Sequence, residues 1–169
     1  MEACSAVVSF LGSELLRNLL VFSGIVVAIV SVLSVKQTAK RKQTADLLFG
    51  TRADEQLSAG YKMLQKLHNA TDTNIRVYGT KAKNDSDEAN GIRYVLNHWE
   101  RVCVGMNQGI YDEKMLHAST YSTIMNLYEQ ALPFIQAVRQ ATGKDTYYQE
   151  LECLVLRWKN KPLARKKTA

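Results

Sequence analysis

The stretch RNLLVFSGIVVAIVSVLSVKQTAKRK, Arg17 to Lys42, sets an uncharged apolar run directly against a cluster of lysine and arginine. Between Arg17 and Lys36 the polar residues are Asn18, Ser23, Ser31 and Ser34, none of them charged. As a helix, Leu19 to Val35 spans about 25 Å at 1.5 Å per residue. That is a little short of a hydrocarbon core of roughly 30 Å, but Leu15 and Leu16 extend the run and Arg17 can snorkel. A core helix of a soluble protein carries a polar stripe, and this segment has none. The flanks disfavour a cleaved export signal, which places positive charge before its apolar region and small residues at a cleavage site after it. Here Glu2 and Glu14 precede the run, with Arg17 the only basic side chain there. Lys36, Lys40, Arg41 and Lys42 follow it, and no A-x-A pattern does. Because basic flanks stay on the cytoplasmic side, the expectation is an uncleaved, single-pass inner-membrane anchor with the N-terminus outside and the C-terminal domain cytoplasmic.

Within the anchor, Gly24 and Ala28 form a small-x-x-x-small pair, and Ser31 continues roughly the same face. Such faces let membrane helices approach closely, so self-association is one expectation, although these residue types are common in any membrane helix. The organisation read from the sequence is a short N-terminal segment (1–18), a transmembrane helix (19–35), a basic juxtamembrane stalk (36–50), a helical domain (51–158) and a basic tail (159–169).

The chain has 169 residues and a net charge of +6. The excess is terminal: residues 43–158 carry 12 basic and 14 acidic side chains, a balance of −2. Basic residues that bind nucleic acid line a groove or helix of the domain, so no specific nucleic-acid partner is expected. The tail KNKPLARKKTA adds Lys159, Lys161, Arg165, Lys166 and Lys167. With Lys36, Lys40, Arg41 and Lys42, the tail residues Arg165, Lys166 and Lys167 suit contact with anionic lipid, at roughly 1 kcal/mol per basic residue near the surface. A solvated tail fits the same composition equally well. Cys4, Cys103 and Cys153 give neither an even framework nor a C-x-x-C pair; buried thiols in a reduced compartment are the plain reading. His68, His98 and His117 are dispersed without metal-ligand spacing, so no metal and no cofactor is expected.

Past the stalk the apolar residues recur at helical period. Leu57, Tyr61, Leu64 and His68 predict one helix, and few strong breakers before Gly50 let the membrane helix run on as a stalk. The polar stretch 71–91 loses the period and reads as a loop or a short ordered excursion. Asp85 with Glu88 three residues on suggests the start of a helix whose stripe is Val95, Trp99, Val102, Cys103 and Met106. Gly105 and Gly109 mark its end, and Asp112 offers the next N-cap. Ile124, Leu127, Tyr128, Ala131, Ile135 and Val138 share a face of a third helix, in which Pro133 implies a kink or a restart and Gly143 a stop. A last helix, capped near Asp145, carries Tyr147, Leu151, Leu154, Val155 and Trp158. The predicted fold is all-α, an N-terminal transmembrane helix followed by an antiparallel helical bundle.

The segment YVLNHWERVCVGMNQGIYDEKML combines Asn97, Trp99 and Glu100 on one helix, a turn at Gly109 and Ile110, and the acidic pair Asp112 and Glu113. With LYEQALPFIQAVR and YYQELECLVLRW downstream, it resembles an uncharacterised family of bacterial and phage proteins, a domain of unknown function whose members carry an N-terminal membrane helix. The resemblance implies a fold and a topology. It implies no activity and no functional residue.

Among polar residues, Glu100 lies at the edge of its helix stripe, where it could reach Arg139 on a facing helix as a register-setting pair. Catalysis by Glu100 would need a partner with a shifted pKa inside a pocket, which the spacing does not place. The function expected is therefore non-enzymatic: a membrane-tethered interaction module (adaptor, regulator or accessory subunit) with a protein partner at or in the membrane. A structural subunit of a larger membrane-associated assembly is the first alternative, and a homo-oligomer is among the partners expected. A small hydrolase with a carboxylate site at Glu100 is the second.

Overall fold

A computed structural model describes residues 14–164 and divides the chain into two units, residues 1–39 and 40–169. The described residues form α1 (Glu14–Ala53), α2 (Glu55–Asn69), a 3-10 turn (Ile75–Gly79), α3 (Asp87–Asn107), α4 (Glu113–Thr142) and α5 (Gln149–Lys159), with no strand among them. The protein is all-α.

In the first unit, the large apolar side chains of α1 from Leu19 to Val35 are 43–69% exposed. The hydroxyls of Ser23 and Ser31 donate to the carbonyls of Leu20 and Val27, at 2.9 and 2.8 Å. Both hydroxyls are thus satisfied inside the helix. Helix α1 continues to Ala53, so the basic stalk is helical.

The second unit is the bundle. Asp54 caps α2, accepting from the Leu57 amide at 2.8 Å, and its other carboxylate oxygen takes the Tyr94 hydroxyl at 2.9 Å, which ties the cap to α3. Helices α2 and α3 cross at Gly60, where a Cβ would stand 2.5 Å from Val95 Cγ2 and 2.7 Å from the Gly91 carbonyl oxygen. Only glycine fits there without displacing α3. The polar excursion folds as a 3-10 turn whose Ile75 and Tyr78 are buried, and it packs on α4. Helix α5 lies against both α3 and α4. Trp99, Trp158, Phe134, Leu57, Ile92 and Leu151 are fully buried at the centre.

Two expected helix starts shift, and the helix that holds Pro133 does not restart. The α3 cap is Ser86, whose hydroxyl accepts from the Ala89 amide at 3.2 Å, so Asp85 stays outside the helix. Helix α4 runs through Pro133 without restarting, held there by buried Ala131, Phe134 and Ile135, and stops at Gly143 in the left-handed region, φ 66°. The α5 cap is Tyr148, not Asp145; it is left-handed itself, φ 59°, and makes no side-chain capping bond.

Candidate functional site

One helix among the described residues is long and apolar enough to cross a membrane, Leu16–Ala53. Lys36, Arg41 and Lys42 are exposed on α1 after the apolar run, and Lys40 is half-buried. Arg41 also reaches Asp112 at 3.8 Å. Gly24, Ala28 and Ser31 are exposed, with open space around Gly24. Arg165, Lys166 and Lys167 lie outside the described residues.

Just beyond the basic cluster sits the only buried polar residue of the described core, Thr44. Its hydroxyl donates to the Lys40 carbonyl at 2.9 Å and accepts from the Asp112 amide at 2.7 Å. One hydroxyl therefore joins α1 to the turn between α3 and α4. Sequence reading passed over it, although Thr44, Leu47, Leu48 and Thr51 lie on one helical face; that stripe was the available signal.

Glu100 and Arg139 do not pair with each other. Glu100 accepts from the amides of Glu150 and Leu151, at 3.1 and 2.9 Å, and so caps α5 from the side of α3. Arg139 donates to the Tyr147 carbonyl and to Glu152, both at 2.8 Å. Tyr128 donates to the second oxygen of Glu152 at 2.8 Å. The physical reason is the position of α5: packed on both α3 and α4, it stands between the two residues and occupies each of them separately. Arg139, with Tyr128 behind it, holds the Glu152 carboxyl below the usual carboxylate range. These contacts fix a turn that is otherwise costly, since a left-handed bulky residue such as Tyr148 stores on the order of 1–3 kcal/mol of strain.

A groove of about 490 Å³ opens in the bundle between the end of α1 and α2, α3 and α4. Leu48, the exposed Phe49, Tyr61 and Trp99 supply its apolar walls, while Thr51, Ser119, Thr120 and Thr123 add hydroxyls. The Trp99 indole donates to the Tyr61 hydroxyl, and burial pushes the Tyr61 phenol up to about 12. At the rim, His98 Nε2 lies 3.3 Å from the Thr51 hydroxyl, and desolvation holds His98 below the ordinary histidine value. The groove suits an apolar group with a few hydroxyl contacts. It brings together no pair of ionisable groups able to exchange a proton with a substrate, and no group of ligands for a metal ion occurs among the described residues.

Residues 18–158 match the family described as Domain of unknown function (DUF4760). The chain belongs to this family. No curated protein and no solved structure matches the chain. The span matched as DUF4760 takes in the apolar run, the Thr44 contact and the bundle as far as Trp158. Of the residues that carried the resemblance, Trp99, Glu100, Asp112 and Glu113 all have structural bonds in this DUF4760 chain, whereas Asn97 is exposed.

Proposed function

We propose that the protein is a non-enzymatic, membrane-tethered interaction module, an adaptor, regulator or accessory subunit held at the cytoplasmic face of the inner membrane. The observation that carries this reading is the uncovered apolar run Leu19–Val35, immediately followed by Lys36, Lys40, Arg41 and Lys42. Magnitudes assign the roles. Each large apolar side chain removed from water contributes about 1.5–3 kcal/mol, against roughly 1 kcal/mol for each basic residue near anionic lipid. The apolar run anchors, and the basic cluster orients. Tethering confines the bundle to a surface and raises its effective concentration for a membrane partner. The hydrolase alternative rested on Glu100, whose two oxygens are both engaged by backbone amides in a structural cap.

The native cysteines allow a direct test. Cys4 precedes the anchor and Cys153 is exposed in the bundle. Cys103 can stay in place, because burial and the nearby Glu100 push its thiol up to about 12 and keep it unreactive. An impermeant maleimide applied to intact spheroplasts should label the Cys153→Ser variant, through Cys4, and spare the Cys4→Ser variant until lysis. Both variants should remain in the carbonate-washed membrane fraction. Labelling of Cys153 before lysis would reverse the orientation, and release by carbonate would remove the anchor.

A further inference from the structure

A second cavity, about 390 Å³, lies between the start of α4 and the end of α5. Its lining is Glu113, Lys114, His117, Arg157, Trp158 and Lys161. Three permanent cations thus face one carboxylate, and that carboxylate is occupied. Glu113 Oε1 accepts both the Arg157 Nε–H, at 2.9 Å, and the Trp158 indole N–H, at 3.0 Å. Held through Nε, the Arg157 guanidinium keeps its two terminal nitrogens for another acceptor. The ammonium groups of Lys114 and Lys161 make no ion pair among the described residues.

The wall is built rather than incidental. His117 Nε2 is 2.9 Å from the Lys161 carbonyl, and since a carbonyl only accepts, Nε2 carries the proton. This bond pins the segment after α5 against α4. The His117 ring packs edge-on to Trp158, with centroids 4.9 Å apart, and Tyr121 stacks on the same indole at 6.1 Å. The Glu113 carboxylate offsets one of the three positive charges, which leaves two at the cavity. A phosphate group carries about −1.5 to −2 charge and three acceptor oxygens, which matches a guanidinium fork flanked by two ammonium groups.

We propose that this cavity binds a phosphate group, with Arg157 as the bidentate donor and Lys114 and Lys161 as flanking cations. The site is independent of the anchor and of the membrane reading. The phosphate can come from a soluble ligand or from a lipid headgroup, and the shared chemistry is the same.

The two tryptophans provide the test. The Trp158 indole N–H bonds to Glu113 at the cavity, while the Trp99 indole N–H bonds to Tyr61 in the bundle core and serves as an internal reference. The full chain, ¹⁵N-labelled at indole and held in neutral detergent, is titrated with inorganic phosphate against sodium chloride at matched ionic strength. A parallel arm uses phosphatidylcholine bicelles with and without phosphatidic acid, whose headgroup is a phosphomonoester. The expected result is a saturable shift of the Trp158 signal with the Trp99 signal still, from phosphate in the first arm or from phosphatidic acid in the second. Which arm responds identifies the source. Lys114→Gln and Lys161→Gln should each weaken binding about tenfold, the order of one charge-assisted hydrogen bond. Both positions are exposed, an intact Trp99 signal reports that the fold survives, and either variant alone suffices if the other fails to fold. No saturable shift in either arm, an equal shift with chloride, or undiminished binding by a folded variant overturns the proposal.

Discussion

The Glu100 carboxylate stands where α5 has no capping side chain of its own, and its two oxygens take the amides of Glu150 and Leu151 in that helix's opening turn. Glu100→Gln keeps the shape and one acceptor, so it should cost about 1–2 kcal/mol; Glu100→Ala strands both amides and should cost more, on the order of 2–4 kcal/mol. Urea denaturation measures both. In cells the Glu100→Gln protein should lose function only in proportion to its lost folded fraction; a stable variant without function would make Glu100 part of a reactive site. Acid adds a second residue-level test. Desolvation holds His98 below its ordinary value, and Arg139 does the same for Glu152. In both cases the folded protein binds fewer protons than the unfolded chain, so stability is lost as the pH is lowered. The His98 contribution is lost as pH falls from about 6.5, the ordinary histidine value, towards its folded pKa. The Glu152 contribution goes later, below about 4.3. His98→Gln should erase the upper window of a pH–melting curve and leave the lower one; an unchanged upper window would assign it elsewhere. Sequence reading could pick out Glu100 and Arg139 as half-buried polar residues on facing helices. It could not see that α5 comes between them, because that depends on tertiary packing and not on spacing.

Helices with a strong apolar period were legible, and the points that were not have local causes. The α3 stripe from Val95 to Met106 and the Asp112 cap came out as read, since period and capping chemistry agree there. Asp85 and Asp145 look like caps, but the chain starts its helices at Ser86 and Tyr148, one through a hydroxyl and the other through a capping group supplied by another helix. The buried 3-10 turn was hidden because Ile75 and Tyr78 are isolated apolar residues in a polar stretch, too few to show a period. Thr44 was hidden because a threonine next to a basic cluster reads as surface. Its burial makes a clear prediction. Thr44→Val keeps the volume and removes the acceptor for the Asp112 amide, which should cost about 1–3 kcal/mol. Thr44→Ser keeps the hydroxyl and should cost less. Equal losses in the two variants, measured by chemical denaturation, would mean that the methyl packing and not the hydroxyl joins α1 to the α3–α4 turn.

Apolar surface is distributed differently in the two units. The bundle buries its aromatic and aliphatic residues within residues 40–169, whereas Leu19–Val35 leaves its own uncovered. That division was legible in the sequence, because an unbroken apolar run and amphipathic periods are different patterns. Where α1 stops serving one unit and starts serving the other was not, since the helix itself continues to Ala53. The Thr44 bond, with Leu47 and Leu48 packed on the core, places that change at the beginning of the second unit. Truncation tests it. A chain of residues 40–169 retains the Lys40 carbonyl, Thr44 and the groove wall, so it should be soluble without detergent and fully helical, with cooperative unfolding. A chain of residues 54–169 loses the Thr44 bond, the Leu47 and Leu48 contacts and one side of the groove. It should be less stable by about 3 kcal/mol or more, summing one buried hydrogen bond and two half-buried leucines. Circular dichroism during urea denaturation compares the two. If the shorter chain matches the longer in stability, α1 is a tether alone; if the longer chain aggregates without detergent, the bundle carries a membrane-facing surface beyond the apolar run.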